Sequence, residues 1–240
     1  MTFTWLAGAC IVGAASLVQG LAGFGIGLVA MAFLPFLMPP ATAVVLMTIY
    51  ATAFTAAIFL PVRRDLQPRA VVDLLGGTLI GAPIGVWVLS TLPAGGLKRL
   101  IGFVLVGIVL LEWLGRYPEG LSGRGWGVGA GVVAGLLGGA VGTPGPPVIL
   151  YGTARGWGPR TMKANLQAFL VANQGIILLG YWWAGLLTPD IWRLAGAFAV
   201  PAVAGLVIGM ALFTRIDRVR FRRIVFGLLF MSGLVLLVGG

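Results

Sequence analysis

Gln19-Gly20-Leu21-Ala22-Gly23-Phe24-Gly25-Ile26-Gly27 and Gly135-Leu136-Leu137-Gly138-Gly139-Ala140-Val141-Gly142-Thr143-Pro144-Gly145-Pro146-Pro147 interrupt runs that are otherwise apolar and helix-forming. Gly20 and Gly135 lie 115 positions apart in a chain of 240, so each break falls at the same place in its half. Backbone released from a helix inside a bilayer must be buried in protein or line a wet cavity, because lipid offers its polar groups no partner. Broken segments at matching positions of two halves are the pattern of a membrane carrier whose site lies where the breaks meet.

Composition places the chain in a membrane. It is 59% hydrophobic and 9% charged, with a mean hydropathy of +1.05. Soluble domains carry roughly 25% charged residues. The net charge of +10 does not point to nucleic acid, since the basic residues sit at the ends of apolar segments. The single cysteine, Cys10, excludes an intramolecular disulfide and a cysteine metal cluster. The absence of histidine removes the usual transition-metal ligand and imidazole proton relay, and no cofactor is expected. The apolar start, Phe3 to Leu17, lacks a basic leader and reads as the first span, because the first Lys or Arg is Arg63.

Breaking the chain at Pro, Gly and charge gives segments 2–19, 21–38, 41–61, 70–92, 97–114, 126–141, 144–154, 161–184, 190–213 and 221–239. A full span takes about 20 residues, so 126–141 and 144–154 are short and should meet inside the membrane. If all ten cross, the loops on one side hold 13 of the 16 basic residues and the other side 3; if 21–38 and 144–154 only dip, the split is 10 to 6. The positive-inside rule prefers ten crossings with both termini outside the cytoplasm. Trp5, Trp87, Trp126, Trp157, Trp182, Trp183 and Trp192 lie near segment ends, where their rings suit the membrane interface.

The halves match beyond the breaks. Gly20-Leu21, Gly23 and Gly27 align with Gly135-Leu136, Gly138 and Gly142 at an offset of 115, Pro40 and Thr42 with Pro159 and Thr161 at 119, and Arg69, Gly81, Gly85 and Lys98-Arg99 with Arg193, Gly205, Gly209 and Arg222-Arg223 at 124. The expected fold is an all-α integral membrane protein. It has two membrane repeats, 1–115 and 126–240, joined by a linker at 116–125. An odd count of five segments per half turns the second repeat upside down, and its broken helices would meet the first repeat's near the bilayer midplane.

Thr143-Pro144-Gly145-Pro146-Pro147 reads as a helix start, since proline suits a first turn. A helix N-terminus within the membrane presents unpaired N–H groups and a partial positive charge, which together favour an anion. Gly23, Gly25 and Gly27 permit close backbone approach and positive φ, so that Phe24 to Leu28 opens a similar half-helix. Two such N-termini aimed at one point would hold an anion without a buried Lys or Arg. The candidate site is Gln19, Gly23, Phe24, Gly25 and Gly27 from the first break, Gly142, Thr143, Pro144 and Gly145 from the second, and Thr48, Asn173 and Gln174 from neighbouring segments. Thr48, with Thr52 and Thr55 on its face, and Asn165, Asn173 and Gln174 either donate to the anion or link helices. Gly81-Xaa3-Gly85 and Gly205-Xaa3-Gly209 read instead as close helix packing. Asp73 is either a carrier of a coupling proton or, more simply, the partner of Arg69 one turn away.

Gly20 to Gly27 with downstream Pro39-Pro40-Ala41-Thr42-Ala43, and the counterpart Gly135 to Pro147, resemble the sulfite exporter TauE/SafE family over nearly the whole chain. The first break departs from a run of consecutive glycines by carrying Phe24 between Gly23 and Gly25. The resemblance implies a permease of a bacterial-type inner membrane that moves sulfite, organosulfonates or thiosulfate. Alternating access would expose the anion site to each side in turn. The partners expected are a small anion, membrane lipid, a coupling proton or sodium, and a second copy in a homodimer, without nucleic acid. A channel, or a permease for another organic anion such as a carboxylate, is the alternative. An enzyme is not expected, because no nucleophile–base pair or carboxylate–metal cluster is visible.

Overall fold

The computed structural model describes residues 2–114, 123–212 and 218–239. Among these residues there are eleven α-helices and no strand: α1 Thr2–Ala22, α2 Ile26–Phe33, α3 Pro40–Val62, α4 Pro68–Thr91, α5 Ala94–Leu114, α6 Arg124–Val141, α7 Gly145–Ala154, α8 Pro159–Trp183, α9 Pro189–Ala197, α10 Ala199–Leu212 and α11 Arg218–Gly239. The chain is an all-α membrane protein. Most of the expected linker, with Arg116, Glu119, Arg215 and Asp217, lies outside the described residues.

Local chemistry sets the boundaries. α3, α4, α8 and α9 each begin at a proline, whose fixed φ suits the first turn and whose missing N–H costs nothing there. Thr188 caps α9 by accepting from the Ile191 N–H at 3.4 Å. Among the described residues five helical stretches are long and apolar enough to cross a membrane: Thr4–Ala22, Pro40–Asp65, Val71–Thr91, Ala94–Leu114 and Arg124–Val141. The segment read as one span at 190–213 is two helices bent by 52°. Pro201 explains the bend, because it denies an N–H to the carbonyl four residues earlier, at Ala197, where α9 ends. The segment at 21–38 holds the last two residues of α1, the short α2 and a 3-10 turn, Leu34–Phe36, which carries Pro35.

The helices gather into two compact units, each drawing on both halves of the sequence. One holds α1, α2, α3 as far as Tyr50, α5, α9, α10 and α11; the other holds α3 from Ala51, α4, α6, α7 and α8.

In the first unit α1 lies along α10, with backbone close against backbone at Gly20, Gly205 and Gly209. A Cβ on Gly205 or Gly209 would collide with the carbonyls of Gly13 and Leu17, and one on Gly20 with that of Leu206. Likewise Gly102 on α5 meets the Gly233 carbonyl of α11 at 2.6 Å from where its Cβ would be. α2 is enclosed here, with Ile26 through Ala32 all buried. The Ser232 hydroxyl donates to the Ala32 carbonyl, and that of Tyr50 to Ala195.

In the second unit α4 crosses α6 in the same manner. A Cβ on Gly81 would strike the Val132 carbonyl, one on Gly85 the Leu136 carbonyl, and one on Gly139 would lie 2.9 Å from the Ala82 carbonyl. The glycine pairs thus pack helices closely, as the small-xxx-small spacing predicts. The two crossings are built alike: Gly13 and Val132, Leu17 and Leu136, and Gly20 and Gly139 are each 119 positions apart, while Gly81 and Gly205 are 124 apart. The opposite face of α4 carries Leu79, Ile80, Ile84 and Trp87, all exposed and suited to lipid. Trp5, Trp126, Trp182, Trp183 and Trp192 are exposed as well, but Trp157 is half-buried edge-on against Tyr151.

Gly81→Val should force α4 from α6 and cost about 1–3 kcal/mol or more of stability. Gly76→Ala, where nothing lies within 4 Å of the new carbon, should leave stability unchanged or slightly raised. Thermal midpoints of the purified variants in detergent check both.

Candidate functional site

Each break is closed by a left-handed glycine, one in each unit. Gly23, at φ 81°, ends α1 with its N–H on the Gln19 carbonyl at 2.8 Å, and Gly142, at φ 71°, ends α6 with its N–H on the Gly138 carbonyl at 3.0 Å. Only glycine takes this conformation without a Cβ penalty. Three residues later a new helix begins, after Gly25 for α2 and after Pro144 for α7. Closing glycine, hydrogen bond and helix start all recur 119 positions apart. The glycine alignment at 115 is therefore corrected by four residues, since glycine-rich strings match at several shifts and only the backbone angles mark which glycine closes the helix.

The chemistry of the two breaks differs. In the first, the buried Gln19 side chain spans the gap: its Nε2 donates to the Gly23 carbonyl and its Oε1 accepts from the Ile26 N–H, both at 3.3 Å. The leading N–H of α2 is thereby capped from inside the break. Gly27 and Leu28, also in the first turn, have no carbonyl within their helix to bond. Phe24 and Gly25 are half-buried.

In the second break, Thr143, Pro144 and Gly145 are buried and Gly142 is half-buried. The Thr143 N–H reaches the Leu137 carbonyl at 3.2 Å, but its hydroxyl, in a residue 3% exposed, meets no hydrogen-bonding partner. α7 begins Gly145-Pro146-Pro147, so Gly145 carries the sole N–H of its first three positions. The expectation of a cluster of free amides there is corrected: the positive end of the helix dipole remains, but two prolines reduce the donors of the first three positions to Gly145.

Side chains from other helices of this unit approach the same place. The point where a Cβ on Gly138 would stand is 3.1 Å from Pro144 Cβ, 3.2 Å from Asn173 Nδ2 and 2.7 Å from Ile177 Cδ1. Asn173 is fully buried and its Nδ2 has no partner, while its Oδ1 accepts from Thr78 at 3.0 Å. The Tyr181 hydroxyl donates to the Gly139 carbonyl at 2.7 Å, which satisfies one of the last carbonyls of α6. Thr78 and Tyr181 escape sequence reasoning, as nothing in their own segments marks them.

The remaining candidates scatter. Gln174 is 5% exposed with Oε1 unpartnered. Thr48 donates back to the Val44 carbonyl at 2.8 Å and belongs to the first unit, whereas Thr52 and Thr55 belong to the second. Asn165 accepts from the Gln67 N–H at 2.8 Å and so holds the loop before α4. Asp73 finds Arg124 on α6, at 3.6 Å, in place of the expected Arg69 pairing. Among the described residues no His, Cys, Asp and Glu cluster could hold a metal.

A family model described as sulfite exporter TauE/SafE matches residues 8–236 of this chain. A protein of Cupriavidus necator named probable sulfite/organosulfonate exporter TauE is 28% identical over 235 residues, covering 95% of this chain and 91% of that protein. No solved structure matches.

Gln19→Leu should strand the buried Ile26 N–H and lower stability by about 1–3 kcal/mol. Gly142→Val should cost a similar amount through its left-handed φ, and Gly142→Asn less. Denaturation in mixed micelles, followed by intrinsic fluorescence, measures both.

Proposed function

Because the chain belongs to the sulfite exporter TauE/SafE family, we propose that it carries small sulfur-containing anions, such as sulfite, organosulfonates or thiosulfate, across the membrane. That it is a membrane transporter and not an enzyme follows from the family itself. The substrate class is carried over from the relative's name. One observation bears most of the weight: α7 starts inside the protein beside a buried hydroxyl and a buried amide nitrogen that no protein group engages.

An anion supplies what that arrangement lacks. Its oxygens accept from Thr143 and Asn173, and its charge sits at the positive end of the α7 dipole. Gly142, Pro144 and Gly145 shape the turn. Gln19, Gly23, Phe24, Gly25 and Gly27 form the corresponding turn of an inverted repeat, where Gln19 braces the backbone. Alternating access then exposes the anion to each side in turn, in a multi-pass protein of the inner membrane. With all ten segments crossing, the 13-to-3 distribution of basic loop residues supports both termini outside the cytoplasm.

In proteoliposomes the protein should accumulate labelled sulfite against its gradient when a proton or sodium gradient is imposed. Thiosulfate and methanesulfonate should compete, with acetate and chloride far weaker. Equilibration without accumulation would indicate a channel, and preference for acetate a carboxylate permease.

A further inference from the structure

We propose that Thr78 fixes the orientation of the Asn173 amide, so that its nitrogen, and not its oxygen, faces the ligand at the start of α7. The inference rests on the anion reading above and names the residues that set the site's polarity.

An amide can present a donor or an acceptor to a given point, according to which end its neighbours hold. Here the hydroxyl of Thr78, fully buried on α4, donates to Asn173 Oδ1 at 3.0 Å. Its other acceptor, the Gly131 carbonyl, is more distant at 3.4 Å. With its oxygen held, Asn173 directs Nδ2 beside Gly138 and Pro144, where that nitrogen is buried and unpartnered. A buried donor without an acceptor is costly, and it persists where a ligand completes it.

The sequence of α7 gives the reason a side chain is needed. Anion sites at helix starts normally draw on several first-turn N–H groups, but Pro146 and Pro147 have none. The helix keeps its favourable field but has Gly145 alone to give a hydrogen from its first three positions. Asn173 Nδ2 and the Thr143 hydroxyl, both buried and unpartnered, are the donors that replace the missing ones. Gly138 is the complement of this arrangement, because a Cβ there would stand 3.2 Å from Nδ2, tighter than ordinary packing. A ligand oxygen read this way must be an acceptor, as every oxygen of a sulfonate is. Thr78 is thus a positioning residue and Asn173 a binding residue.

The test titrates full-length protein in detergent with sodium sulfite and with methanesulfonate by calorimetry, alongside Thr78→Val, Thr78→Ser and Asn173→Asp. Thr78→Val should weaken both anions about tenfold or more, the scale of a hydrogen bond to a charged group. Thr78→Ser, which keeps the hydroxyl, should restore binding. Asn173→Asp keeps an acceptor for Thr78 and puts a carboxylate oxygen where the donor stood, so it should abolish binding while the thermal midpoint shows a folded protein. If Thr78→Val does not fold, Thr78→Ala removes the same hydroxyl without added bulk. Wild-type affinity in folded Thr78→Val or Asn173→Asp overturns the inference and leaves the transport reading intact. Failure of the wild type to bind either anion overturns the sulfur-anion reading, and the inference falls with it.

Discussion

Lipid cannot hydrogen-bond a peptide group, and the two breaks are this chain's answers to that constraint. Each unwinds helix over three residues and resumes within one turn, closing the first helix on a left-handed glycine. The scaffold is common to both; the chemistry is not. Gln19 fills the first break with its own amide, donating and accepting across the gap. The second break has no such filler: its own Thr143 keeps a hydroxyl in reserve, and neighbouring Asn173 an amide nitrogen. Transport chemistry is expected where the protein has left its own polar groups incomplete.

α8 shows how the chain carries polarity into an apolar environment. It is 25 residues long yet does not qualify as an apolar span, because Asn165, Gln167, Asn173 and Gln174 interrupt it. All four are buried, so the helix turns its polar residues toward protein. Around it, the α4–α6 crossing relies on glycine. Between membrane helices there is no hydrophobic drive to associate, and close backbone contact supplies dispersion in its place.

Helices and close crossings were legible in the sequence because apolar length and glycine spacing are local signals. So was the likeness of the breaks, though the register was misread: Gly20 to Gly27 matches Gly135 to Gly142 well at 115, while φ selects Gly23 with Gly142. The bend at Ala197 could have been read from Pro201. Pairings across the fold could not. Asp73 meets Arg124 and Thr78 meets Asn173 because α4 packs against elements of the other half, which no spacing within one segment encodes. The candidate site was legible as residue types, and the division of labour between Gln19 and Asn173 needed the geometry.

Where α1 meets α10, and again where α4 meets α6, peptide abuts peptide at the glycines of the seam. Interdigitated side chains can change rotamer and let two helices slide; bare backbones have no such lubricant, and a small rotation drives a neighbouring Cβ into a carbonyl. Each pair is therefore mechanically a single stave. Whatever flexing a transport cycle demands falls to other joints, such as the turns at Gly23 and Gly142 and the bend between α9 and α10.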